Sequence, residues 1–139
     1  MSDPLYKKEL LRLAAEAHGA GTLAEPHLTG MAFNPACGDR VTMRVKLGTD
    51  GRIAALAHET KACVLAQASA SILGRDAPHH SREEIARLRD EIVSMLKGSA
   101  FVNAYSVFDG AADHASRHNC VLLPLDALLK AFDSTSKET

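Results

Sequence analysis

Residues 41–51 constrain this chain more tightly than any other stretch. Val41, Met43, Val45 and Leu47 alternate with Thr42, Arg44 and Lys46, and Asp50-Gly51 follows. A period of two sends successive side chains to opposite faces of an extended strand, so the stretch reads as a strand with one face buried. Asp-Gly after such a run is a strong hairpin signal. The return strand is expected over 52–58, with Ile53, Ala55 and Ala57 on one face. Upstream, Met31-Ala32-Phe33 is a short apolar run that reads as another strand, ended by a turn at Asn34–Asp39. These segments predict an antiparallel sheet of two or three strands with one apolar face.

The remaining periodic segments have helical spacing and can cover that face. Residues 5–17 place Leu5, Leu10, Leu13, Ala14 and Ala17 on one side, behind Asp3-Pro4 as cap and first position; Gly19 and Gly21 stop the helix, and 18–30 reads as a loop. Residues 64–73 are small and apolar, suited to close packing against a sheet, and 74–80 break the helix they predict. Ser81-Arg82-Glu83-Glu84 has the capping-box pattern; Ile85, Leu88, Ile92, Met95 and Leu96 form the buried stripe of a helix to Lys97, with Gly98 beyond it. Residues 99–115 read as a loop with some short helix. A last helix is expected over 121–132, with Pro124 in its first turn, where a missing N–H costs little. The fold class is α+β, with helices on one face of a small antiparallel sheet. The 139 residues fit a single domain, 1–139, with frayed ends at 1–4 and 133–139.

Composition narrows the function. A net charge of −1 argues against a protein built to bind nucleic acid backbone. No apolar run is long enough to cross a membrane, and Met1–Leu13 carries scattered charges rather than a signal-peptide core, which points to the cytoplasm. Three cysteines make an odd number for a disulfide framework. In a reducing compartment such thiols serve as ligands or nucleophiles, or fill the core.

The chemistry concentrates on Asn34-Pro35-Ala36-Cys37-Gly38-Asp39, with Cys63 and Cys120 far along the chain. Thiolates are the usual soft ligands of zinc and iron–sulfur clusters. Three of them leave one position of a tetrahedron open, which Asp39 or His118 can fill. Cys63 lies where the sheet hands over to a helix; at a helix start its thiolate is favoured and becomes a better nucleophile. Cys120 has a comparable expected position, with Arg117 adding positive charge. Bland readings stand beside these. Each cysteine can be a packing thiol, Asp39 can serve only to stabilise a turn, and His79-His80 reads as a solvated loop pair. His18, His27, His58 and His114 suggest no partner.

The Asn34–Asp39 motif, Lys61-Ala62-Cys63 leading into Ala68-Ser69-Ala70-Ser71, and Arg117-His118-Asn119-Cys120 before a leucine-rich helix together resemble the NifU/IscU-type iron–sulfur cluster scaffold family. The resemblance runs over residues 5–132. The Asp76–Lys97 segment between Cys63 and Cys120 is most similar to the SufU-like branch. It implies an α+β fold with the three cysteines at one end. It implies Cys37, Cys63 and Cys120 as metal or cluster ligands and Asp39 as the fourth ligand or the group that keeps a cluster labile. Cys120 or Cys63 would accept persulfide sulfur from a cysteine desulfurase. The site would hold iron as a [2Fe–2S] cluster, passed to downstream acceptor proteins, or zinc in a zinc-dependent sulfurtransferase that accepts the persulfide. The chain departs from the IscU pattern at Asn119, where IscU has histidine, and at Ala62, where glycine is usual. Asp113-His114-Ala115-Ser116 replaces the chaperone-recognition Leu-Pro-Pro-Val segment.

Overall fold

The hairpin forms where the alternation places it. β2 (Asp39–Leu47) turns at Asp50-Gly51 into β3 (Ile53–Lys61), and the Asp50 carboxylate accepts from the Arg52 backbone N–H at 3.0 Å. The third strand, β1 (Leu28–Asn34), begins earlier than its apolar run suggests and pairs antiparallel with β2, from Leu28 opposite Val45 to Asn34 opposite Asp39. The sheet order is β1-β2-β3. This is the three-stranded form of the expected sheet. The structure is a computed structural model that describes residues 8–26, 28–35, 38–98, 102, 105–108 and 115–134. Asp3-Pro4, Leu5, His27, Cys37, Phe101 and His114 lie outside the described residues, as do residues 1–4 and 135–139 of the ends 1–4 and 133–139 expected to fray.

One expectation for β3 is corrected. The register shifts at Lys46/Leu47, so Ile53 faces Leu47 on the covered side while Ala55 and Ala57 stand opposite Lys46 and Arg44. An irregularity of this kind moves every later residue to the other face. His58, opposite Met43, is thereby turned into the core and is 3% exposed.

The helices are α1 (Lys8–Glu16), α2 (Val64–Asp76), α3 (Arg82–Leu96) and α4 (Ala115–Asp133). α4 lies across β1 and β2, α2 packs on β3 and α4, α1 on α2, and α3 on α4. α2 is buried over most of its length, from Leu65 to Leu73, because its small residues admit neighbours on several sides. Gly74 does not stop it. A Cβ there would come within 1.9 Å of the His18 carbonyl oxygen, so the glycine permits the loop after α1 to lie against α2. α3 starts on the capping box read from the sequence: the Ser81 hydroxyl accepts from the Glu84 N–H and the Glu84 carboxylate from the Ser81 N–H. Arg89–Asp126 at 2.6 Å and Arg82–Asp133 at 2.9 Å tie α3 to α4.

α4 differs most from expectation. It starts at Ala115 rather than near 121, so Pro124 lies in its interior. Pro124 has no N–H for the Cys120 carbonyl. The break is tolerated inside the core, where Val121–Leu125 are buried, and the Ser69 hydroxyl on α2 donates to the Val121 carbonyl at 2.7 Å. α4 also presses on β1: a Cβ on Gly30 would lie 2.2 Å from the Ala131 nitrogen and 2.4 Å from the Ala127 oxygen. No helix among the described residues is long and apolar enough to cross a membrane.

Candidate metal and sulfur site

Antiparallel pairing sends the end of β1, the start of β2 and the end of β3 to one edge of the sheet. Asp39 opens β2 there. Cys63 follows β3 by two residues and is the N-cap of α2, with extended backbone at φ −66° and ψ 167°. Its side chain makes no capping hydrogen bond. α4 crosses the sheet and brings Cys120 to the same end. Donor atoms of Asp39, Cys63 and Cys120 lie within 4.8 Å of one another. Residues separated by most of the chain thus share one small volume.

Asp39 is 7% exposed and Cys120 2% exposed, while Cys63 is half-buried and forms the more open side. Oδ2 of Asp39 is buried and has no hydrogen-bond partner among the described residues. A buried acceptor left this way is costly, so a carboxylate that brings an oxygen within 4.8 Å of two thiols calls for a cation or a donor. One hard oxygen with sulfur ligands suits zinc or an iron centre. Asp39, Cys63 and Cys120 therefore fit a zinc ion or an iron–sulfur cluster.

The expected residues fare differently. Cys63 stands at a helix start, as read. Cys120 does not: it lies inside α4, because that helix begins at Ala115. The longer helix also separates the two candidates for the fourth position. Residues two apart on a helix point away from each other, and His118 is not among the described residues whose donor atoms converge, whereas Asp39 is. Arg117 is half-buried one turn before Cys120. Cys37 lies outside the described residues. His79 and His80 are exposed, as expected of a loop pair.

His58 has partners that the sequence did not suggest. Its Nε2–H donates to the His18 carbonyl at 2.9 Å, so Nδ1 accepts from the Thr60 hydroxyl at 2.9 Å. Burial holds its pKa below 6.5, the bond to His18 opposing in part. Two positions with no role of their own assigned from the sequence also shape the site. Ser69 ties α2, which Cys63 caps, to α4, which carries Cys120. Gly30 sets the approach of α4 to β1; a glycine within a strand is the available signal for such close contact.

This geometry can be set beside known proteins. The family described as the NifU-like N terminal domain matches residues 5–120. The chain belongs to this family. NifU-type domains are scaffolds of iron–sulfur cluster assembly, as the resemblance implied. The iron–sulfur cluster assembly scaffold protein IscU of Thermotoga maritima is 26% identical over 137 residues, covering 96% of each chain. A crystal structure of a nitrogen-fixing NifU-like protein (N-terminal) from Brucella abortus is similar at 30% identity and a TM-score of 0.89, covering 99% of this chain and 98% of that one. An iron–sulfur cluster assembly scaffold for the SUF system from Fervidobacterium islandicum AW-1 shares the fold, at 21% identity and a TM-score of 0.83 over 95% of this chain and 99% of that one. The three-stranded antiparallel sheet covered by helices is thus the NifU-type α+β fold.

Proposed function

We propose that this NifU-type domain accepts sulfur from a cysteine desulfurase and holds iron as a [2Fe–2S] cluster for delivery to acceptor proteins. Cys63, Cys120 and Asp39 serve as ligands, with Cys37, two residues before Asp39 in sequence, as the third sulfur. The observation that carries this reading is the convergence on two thiols of the Asp39 carboxylate, one buried oxygen of which has no partner among the described residues. A scaffold must release its cargo, and a single carboxylate among sulfur ligands is a weaker hold than a fourth thiolate. In the sulfur step the thiolate of Cys120 or Cys63 attacks the outer sulfur of the desulfurase persulfide. The sulfur–sulfur bond breaks, the donor cysteine leaves as thiolate, and the attacking cysteine carries the persulfide. Cys63 is the more exposed of the two and Cys120 the more enclosed.

Metal and acid-labile sulfide are measured on protein purified without oxygen, for wild type and Ala variants of Cys37, Cys63 and Cys120. Iron with matching sulfide, lost in the variants, is the expected result. One zinc per chain without sulfide would replace the scaffold reading by a zinc-dependent sulfurtransferase. Full stimulation of the desulfurase by both Cys63→Ala and Cys120→Ala would reject sulfur acceptance. Asp39→Ala is expected to lengthen the life of a reconstituted cluster, and faster loss would count against its role in release.

A further inference from the structure

The sheet has a second face that no described helix covers. Its register sets Phe33 beside Arg40, Met31 beside Thr42, and Arg40 beside Lys61. Met31 is 49% and Phe33 47% exposed, and Leu11 on α1 is the one other large apolar side chain so exposed among the described residues. The Arg40 guanidinium lies over the Phe33 ring, 5.6 Å from its centroid. Arg44 and Lys46 continue the row along β2. Glu59 is the single acidic residue on this face among the described residues, and Arg44 pairs with it. The result is an apolar pair on the edge strand β1, flanked on the β2 and β3 side by cations, on a chain whose net charge is −1.

Location adds to composition. Arg40 follows Asp39, and Lys61 precedes Cys63 by two residues. The apolar pair therefore sits at the end of the sheet that carries the site. Large apolar side chains pointing outward from an edge strand are an aggregation hazard unless something covers them.

We propose that this open sheet face is the docking surface for an acidic protein surface with an apolar centre, and that its occupant is the sulfur donor. The identity of the occupant rests on the function proposed above. Charge complementarity decides between occupants. Two copies of the chain would bring like charges together across the contact. A polyanion such as RNA would meet Glu59 within the face and a single exposed aromatic ring rather than a stacking platform. An acidic protein satisfies both the cations and the apolar pair, and Lys61 on this face stands two residues before the half-buried Cys63.

The test uses the full chain and the purified cysteine desulfurase that it stimulates. Met31→Ser/Phe33→Ser and Lys46→Glu/Lys61→Glu are compared with wild type and with Cys63→Ser, reading the dissociation constant by calorimetry and the chain concentration giving half-maximal stimulation. Each double variant is expected to weaken binding by about tenfold or more, with maximal stimulation, zinc or iron content and thermal midpoint unchanged. Cys63→Ser is expected to bind like wild type and stimulate little. Wild-type binding should weaken with added salt, and that dependence should shrink in Lys46→Glu/Lys61→Glu. Wild-type affinity in both double variants, while wild type stimulates, overturns the docking inference alone. Failure of wild type to bind or stimulate any desulfurase overturns it together with the function it rests on. A change in sedimentation of wild type alone, or tight binding of a single-stranded RNA oligonucleotide that the variants lose, overturns it in favour of a second copy or of nucleic acid.

Discussion

Replacing Asp39 by alanine should make the metal-free protein more stable. Asp39 is 7% exposed and its Oδ2 has no partner among the described residues, so metal-free protein carries a buried acceptor with nothing to accept there. Such a group costs about 1–3 kcal/mol. Alanine keeps the Cβ and the β2 backbone pairing, so most of that cost is recovered, about 2 kcal/mol. For a chain of this size that corresponds to a rise of about 8 °C in Tm. With metal the order should invert. At zinc a thousandfold above its Kd, wild type gains about 4.1 kcal/mol by mass action. If losing one ligand weakens zinc about a hundredfold, the variant gains about 1.4 kcal/mol at the same zinc concentration, leaving wild type ahead by about 0.7 kcal/mol. The assay is urea or thermal unfolding of both proteins, once with chelator and once across a zinc series. A metal-free Asp39→Ala protein less stable than wild type would refute the reasoning, because the carboxylate would then have a favourable partner without metal. Parallel gains with zinc in both proteins would remove Asp39 from the ligand set.

Gly30→Ala places a methyl group 2.2 Å from the Ala131 nitrogen on α4. Backbone must move, so a loss at or above the upper end of about 1–3 kcal/mol is expected in urea unfolding, together with weaker zinc binding, since the displaced helix carries Cys120; unchanged stability would show that α4 does not press on β1. His58 is buried and held below its ordinary pKa of 6.5, so between that folded value and about 6.5 the unfolded chain binds a proton that the folded chain does not. Stability from this group is present above pH 6.5 and is lost as pH falls through the interval; His58→Gln should flatten that part of the stability–pH curve, and an unchanged slope would assign it to other groups.

Local signals carried much of the fold. The alternation at 41–47 with Asp50-Gly51 gave the hairpin, and Ser81 with Glu84 gave the start of α3, because a turn and a capping box are closed by residues a few positions apart. Readings failed where distant partners decide. Pro124 looked like a helix start, yet α4 runs through it; packing on β1 and β2 and the Ser69 bond to Val121 hold the helix across the break. Gly74 looked like a stop, yet it is a gap for the His18 carbonyl. Ala55 and Ala57 looked set to share a face with Ile53, yet a register shift, which depends on the neighbouring strand, sets them opposite Lys46 and Arg44 and turns His58 in, and Ala57 is buried there all the same.

The site divides in the same way. By itself the sequence determined which chemistry is available: three thiols and a carboxylate in family motifs, with no second set of soft ligands. Tertiary structure alone decided that Asp39, Cys63 and Cys120 meet, and that one carboxylate oxygen is sealed from water without a partner among the described residues. The physical reason is that residue types follow from the genetic message one at a time. Proximity between positions 39, 63 and 120 depends on how antiparallel strands align their ends and how α4 crosses them.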